Sequence, residues 1–299
     1  MNAVVVPIVP RIHLKRILYA TDFSCSALAA LPTVCALARH YGSEVYVQHV
    51  SATLPYVMAA PEAICLAEEK SERAIRAEME KLLRQEPMKG LATKLLISSG
   101  DPAEEILRAV RDNEIDLAVA ATHGRTGFMR LLMGSLAEEL FRILPCPMLT
   151  VGPHLDQRFQ RPEAVRKIVC AMDLSAESRA VFPVVASLAA EFRAGIVLVH
   201  VLPLPERAHD GWLELAGTKR KELERMFASE VDPRCRLEVC VDFGDPAERV
   251  LACAAAHRAD VIALGVRPAG PLAQHLRTTT PYKLIMGSQC PVLTCRAAS

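Results

Sequence analysis

The chain has 299 residues, 51% of them hydrophobic and 23% charged, which is enough apolar material for true cores and enough length for two domains of ordinary size. A balance of 35 basic against 34 acidic residues leaves a formal charge of +1, and aromatics make up only 5%. These values argue against a basic nucleic-acid surface, a membrane-binding polybasic face and a base-stacking platform.

The opening stretch MNAVVVPIVP is apolar, broken by Pro7 and Pro10, and has no basic flank, so it reads as a leading arm and not as a signal peptide. A short strand is expected over 16–20, followed by Asp22 and a helical-period stretch over 25–40. A second strand runs over 44–50 and ends on Val50. The helix expected over 61–86 carries the charged run KSERAIRAEMEKLLRQE, most simply a solvated face laced with internal ion pairs, with a coiled-coil or partner surface as the alternative. A strand over 94–98 leads to Asp101-Pro102-Ala103-Glu104, a helix start with a mechanism: Asp caps, Pro tolerates the first helical position, and Glu reaches back. That helix spans 102–113, and after it come a strand over 116–121, a helix over 135–144 and a strand over 147–151. The longest apolar runs, such as Ala180–Ala190, fall short of the ~20 residues that a membrane helix needs, and a cytoplasmic protein is expected.

The rest of the chain repeats this order. RILYATDFS (16–24) returns as KIVCAMDLS (167–175), and EVYVQHV (44–50) as GIVLVHV (195–201). GDPAEEIL (100–107) returns as GDPAERVL (244–251), and PCPMLTV (145–151) as QCPVLTC (289–295). The early pairs are offset by 151 residues (173 − 22) and the later ones by 144 (245 − 101), so one deletion of about seven residues reconciles all four. The expected organisation is a first domain over 1–152, a linker over 153–164 and a second domain over 165–299. Strands alternating with helices, and strands too apolar for a one-sided sheet, predict an α/β chain: two tandem doubly wound, Rossmann-like domains, each with a five-stranded parallel sheet. The ten cysteines include no C-x-x-C pair, and several (Cys170, Cys240, Cys295) fall in strand-like runs, so they read as small buried hydrophobes and not as a metal or disulfide framework.

In such a fold ligands bind beyond the carboxyl ends of the strands, near the point where strand order reverses. Asp22, Val50 and the loop ATHGRTGFMRLLMGS (121–135) all belong there. Gly124 lets backbone N–H groups approach a ligand closely, and Gly134-Ser135 precedes a helix whose first amides, those of Leu136 and Ala137, suit phosphate oxygens. Ser135 either caps that helix or bonds a phosphate through its hydroxyl. His123 and Arg125 are either phosphate contacts or solvated loop side chains. Asp22, an acceptor at neutral pH, would meet donors on a base or sugar. Taken singly, each feature is also an ordinary cap or turn. His49 and His200, at matching strand ends, read as packed, hydrogen-bonded strand residues. No Walker-A loop and no G-x-G-x-x-G is present, no nucleophile–base–orienter set stands out, and no carboxylate cage for a cation is visible.

On these residues the chain resembles a tandem universal stress protein over nearly its whole length. Nucleotide-binding members of that family carry G-x-x-G, nine residues and G-S/T after strand four, with an Asp after strand one and a Val after strand two contacting adenine. The carry-over lands on Ala121-Thr122-His123-Gly124, Gly134-Ser135, Asp22 and Val50, with alanine at 121 where the pattern has glycine. The resemblance implies ATP bound with Mg2+ in a regulatory and non-catalytic role, slow hydrolysis being a further possibility. It also implies final strands that pair across a pseudo-twofold axis, and action through a second copy or a regulatory protein partner. In the second copy, Pro268 stands in place of Gly124 and Thr278-Thr279 in place of Gly134-Ser135, so that site is expected to be a relic. Gly287-Ser288 is out of register and is expected to end the last helix. The competing reading is a scaffold or chaperone-like interaction protein with vestigial sites in both domains.

Overall fold

The structure is a computed structural model that describes residues 12–51, 61–122, 135–160, 165–204, 211–267 and 279–296. The chain divides into two compact units, one built on residues 13–153 and the other on residues 163–299.

In the first unit the elements are β1 (Arg16–Ala20), α1 (Cys25–Tyr41), β2 (Glu44–Ser51), α2 (Pro61–Leu83), β3 (Thr93–Ser99), α3 (Pro102–Asp112), β4 (Leu117–Ala121), α4 (Ser135–Ile143) and β5 (Met148–Val151). All pairings are parallel, in the order β3-β2-β1-β4-β5. The second unit repeats the plan with β6 (Lys167–Ala171), α5 (Ala176–Phe192), β7 (Gly195–Leu202), α6 (Trp212–Phe227), β8 (Leu237–Phe243), α7 (Pro246–Ala256), β9 (Val261–Val266), α8 (Thr280–Gly287) and β10 (Val292–Arg296). Its strands lie in the order β8-β7-β6-β9-β10, again parallel. Each is the expected doubly wound α/β sheet. The chain enters at a central strand, builds outward to one side, then crosses back to build the other.

Consecutive burial is what makes these strands central. Ile17, Leu18 and Tyr19 are all fully buried although they point to alternate faces, which requires apolar cover on both sides of the sheet. Burying each such side chain contributes about 1.5–3 kcal/mol.

The helix ends follow local chemistry. Ser24 and Ser175 cap α1 and α5 by accepting from the amides of Ala27 (3.1 Å) and Ser178 (3.2 Å). Asp101 accepts from Ala103 and Glu104, both at 3.0 Å, and Asp245 accepts from Ala247 and Glu248 at 2.9 and 3.1 Å, so both Asp-Pro starts are true N-caps. The first of these long helices closes on Gly42 in the left-handed region (φ 66°), whereas the matching residue of the second unit is Arg193 (φ 53°). A side chain in that conformation costs roughly 1 kcal/mol that glycine does not incur.

Helix α2 stops at Leu83, three residues short of the expected Glu86, and a 3-10 turn over Glu86–Met88 takes over. Pro87 explains this, because a proline disfavours helical geometry in the residue before it. On its exposed side Arg76–Glu72 (3.2 Å), Lys81–Glu78 (3.9 Å) and Arg84–Glu80 (3.5 Å) form the anticipated ion pairs. The seven-residue deletion falls in this helix: α2 has 23 residues and α6 has 16. Seven residues are about two helical turns, so α6 loses length while keeping its register toward the sheet. At its start Trp212, the single tryptophan of the chain, packs against Phe243 of β8 with ring centroids 5.5 Å apart.

Candidate functional site

Strand register brings the expected residues of the first unit to one edge. Ala20 of β1 is level with Gln48 of β2, and Tyr19 is level with Val119 of β4. Continuing these registers, Val50 stands level with Asp22, two residues past the end of β1, and Ala121 is level with Thr21, one residue before Asp22, so all three gather at the same end of β2-β1-β4. This is the place where strand order reverses, since the chain leaves β1 toward β2 and later returns to its other side as β4. Val50 is the penultimate residue of its strand and not the last. Strand β2 continues to Ser51 because β3 runs alongside it, pairing Val50 with Ser98 and Ser51 with Ser99. Ala121 is the last residue of β4, half-buried, and its φ is not positive.

The turn after β1 is tightly specified. Thr21 donates its N–H to Gln48 O (2.9 Å), and its hydroxyl accepts from the amide of Phe23 (3.1 Å). One carboxylate oxygen of Asp22 accepts from the amide of Ser24 (3.0 Å). Phe23 occupies the left-handed region (φ 61°), and its ring stacks on His49 with centroids 4.8 Å apart. His49 Nδ1 lies 2.8 Å from Thr21 O. A carbonyl only accepts, so this nitrogen carries the proton and His49 is a strand-end brace, as anticipated. Helix α4 begins at Ser135, and Leu136 and Ala137 occupy its first turn, where helix geometry leaves amides without intrahelical acceptors. Ala137 is a buried residue of that turn. His123, Gly124, Arg125 and Gly134 lie outside the described residues, as do Pro268 and Thr278 of the second unit.

Comparison with known proteins places the chain. The model of the universal stress protein family matches residues 13–152 and again residues 164–296. The chain belongs to the universal stress protein family. Among curated relatives, the universal stress protein MJ0531 of Methanocaldococcus jannaschii is 31% identical over 142 residues, which is 46% of this chain and 81% of the relative. MJ0577 of the same organism is 28% identical over 152 residues, 46% of this chain and 94% of the relative. A crystal structure of a universal stress protein from Archaeoglobus fulgidus shares the fold, with a TM-score of 0.73 at 18% identity, covering 97% of this chain and 98% of that one.

The second universal stress domain repeats the turn but not the edge. Leu174 takes the left-handed conformation of Phe23 (φ 66°), and His200 Nδ1 braces Met172 O at 2.6 Å. Asp173 accepts from both the amide (2.9 Å) and the hydroxyl (2.6 Å) of Ser175. Partial burial works against its charge, but hydrogen bonds from Ser175 and Ser178, with Arg267 nearby, outweigh burial and hold the carboxyl below its ordinary range.

The decisive difference is at the end of β9. Gly265, the counterpart of Ala121, is not in the left-handed region. A Cβ there would lie 2.0 Å from Glu177 O and 2.5 Å from the amide nitrogen of Ser178, inside the first turn of α5. Glycine at this strand end therefore serves the close approach of a helix, a purpose distinct from both positive φ and ligand contact. Gly287 does close α8, as expected, and is itself a packing residue: a Cβ would meet Leu251 Cδ1 at 2.7 Å.

The structure also shows what spacing concealed. The stacked Phe23–His49 pair and the left-handed residues after β1 and β6 left no sequence signal beyond the repeated T/M-D-F/L-S pattern. Cys170 and Cys295 are buried as expected, but Cys240 is half-exposed, because it sits on β8, the edge strand of its unit. No helix among the described residues is long and apolar enough to cross a membrane.

Proposed function

We propose that the first domain is an adenine-nucleotide sensor: it binds ATP with Mg2+ at the carboxyl edge of β2-β1-β4 and passes its occupancy to a partner, without catalysis as its role. The observation that carries this reading is the convergence of Asp22, Val50 and Ala121 at one topological switch point. The donor set suits the ligand. Asp22 is an acceptor for amino or hydroxyl groups of the base and ribose, and Val50 is a flat apolar contact. Gly124, Gly134, Ser135 and the first-turn amides of Leu136 and Ala137 would hold the phosphates, with His123 and Arg125 at hand for their charge. Among the described residues no cluster of carboxylates lies in this domain, so phosphate and water would supply most ligands of the cation. The bound nucleotide would supply the charged group whose presence or absence the protein reports.

The second domain is assigned a structural role, because helix α5 already fills the space beside Gly265. Nucleotide content of freshly purified protein, read by chromatography after acid release, tests the proposal. About one adenine nucleotide per chain, or calorimetric binding of one ATP in the presence of Mg2+, is the expected result. Absence of both turns the assignment to the scaffold reading. Single-turnover phosphate release separates sensing from slow hydrolysis.

A further inference from the structure

The edge strand of the second domain carries a cluster that the nucleotide reading does not use. Glu238 and Cys240 alternate along β8 and so share one face of it. Cys253 and His257 lie one helical turn apart, at i and i+4, at the end of α7 that packs over that strand. The two thiol sulfurs and a ring nitrogen of His257 all lie within 4.8 Å of one another, and all three residues are half-exposed. Glu238 Oε1 stands 3.8 Å from His257 Nε2.

The fold does not require this set. The matching places in the first domain, 144 residues earlier, hold Lys94, Leu96, Ala109 and Asn113, with Lys94 Nζ donating to Asn113 Oδ1 at 3.2 Å. An aliphatic and a methyl side chain do the packing there that two thiols do here. Such partly exposed positions are also poor places for cysteines acting only as small hydrophobes.

We propose that Cys240, Cys253 and His257 form a binding site for a thiophilic divalent cation of the zinc class, with Glu238 or water in the fourth position. Two thiolates and an imidazole are the donor set that selects Zn2+ over hard cations. Tetrahedral coordination with Zn–S near 2.3 Å and Zn–N near 2.0–2.1 Å sets ligand atoms roughly 3.4–3.8 Å apart. With all three atoms within 4.8 Å of one another, the contraction needed is at most about 1 Å, within the rotamer freedom of half-exposed side chains. The electrostatics suit the ligand as well. A hydrogen bond from Cys253, assisted by His257, pulls the Cys240 thiol below its ordinary range against partial burial, while Cys253 is pushed up as the donor. Metal binding displaces the thiol protons of the two cysteines. Charge balances, because two thiolates neutralise the cation.

The test uses the reduced full-length chain and Co2+ as a spectroscopic probe, followed by Zn2+. One equivalent of Co2+ is expected to give a thiolate-to-metal charge-transfer band and tetrahedral d–d absorption, both bleached by one equivalent of Zn2+. C240S and C253S should each weaken binding beyond the 10- to 100-fold typical of outer-shell changes, and Glu238→Gln should fall within about that range. His257→Asn, the residue of the first domain, should weaken it like the cysteine variants, while Cys25→Ser, at an exposed cysteine, should leave it unchanged. Circular dichroism identifies any variant that has lost its fold, and chelator competition on the unaltered chain gives an affinity independent of every variant. The site is refuted if the unaltered chain shows no charge-transfer band, or if the band persists in folded C240S and C253S. A Cys240–Cys253 disulfide forming under air with no metal uptake by the reduced chain also overturns it.

Discussion

The ends of β4 and β9 are the same place in two copies of one domain, and they solve opposite problems. In the first, Ala121 keeps a methyl group at the strand end, and the neighbouring helix is anchored by the buried Tyr19, whose hydroxyl donates to Ala27 O at 2.7 Å. In the second, the place of Tyr19 is held by the smaller Cys170, and the first turn of α5 presses onto Gly265 until no Cβ fits. A large residue at the central strand goes with a small side chain at the strand end, and a small residue with none. The lesson is that a glycine at this edge is not by itself a mark of ligand binding. The domain that keeps the glycine has given the space to its own helix.

Five experiments break or sharpen this contrast. The largest effect is expected from Gly134→Glu, which places bulk and negative charge in the proposed phosphate cradle and should abolish ATP binding in a calorimetric titration. Thr278→Glu at the matching place should leave it unchanged, and two equivalent sites in the unaltered chain would remove the asymmetry altogether. Next is Gly265→Ala, which must push α5 off the sheet and should destabilise the second domain by about 1–3 kcal/mol in denaturant melts. An unchanged midpoint would mean that the helix does not need the glycine. Ala121→Gly should tighten ATP binding by up to about tenfold, ~1.4 kcal/mol, with stability equal or slightly lower. Smaller still, Arg193→Gly should stabilise the second domain by roughly 0.5–1 kcal/mol by relieving the left-handed conformation that Gly42 adopts freely.

The smallest effect concerns acid. Asp173 has a folded-state affinity for protons lowered by its Ser175 and Ser178 hydrogen bonds. Its contribution is therefore present above the unfolded carboxylate range, near pH 4, and is lost as the pH falls through the lower folded value. Asp173→Asn should flatten the acid limb of the stability curve there and leave the neutral region with the same slope. A limb of unchanged steepness would show that other carboxylates carry it.

Much of the scaffold was legible in the residues because the signals are local. Alternation and aliphatic runs locate the strands to within about a residue, and Asp101-Pro102 and Asp245-Pro246 announce their helices by a cap that needs no tertiary context. Reading α2 through to Glu86 failed where helical periodicity was trusted over Pro87. The edge residues Asp22, Val50 and Ala121 could be placed together because a repeated order of elements implies a switch point. What stayed hidden depends on distance in space and not in sequence. Neither the pressure of Glu177 on Gly265 nor the meeting of Cys240 with Cys253 and His257 has a spacing signature, since strand and helix contribute their parts separately.

Trp212, packed on Phe243 at the start of α6, is the only indole in the chain. Tryptophan emission therefore comes from the second domain alone, while circular dichroism sums over both. Followed together through a denaturant gradient, the two signals would divide if the domains unfold separately and coincide if they unfold as one. Nucleotide added to the first domain would then change the unfolding seen at this chromophore if occupancy of one fold stabilises the other. The placement of one aromatic ring turns the question of communication between the two copies into a measurement on unlabelled protein.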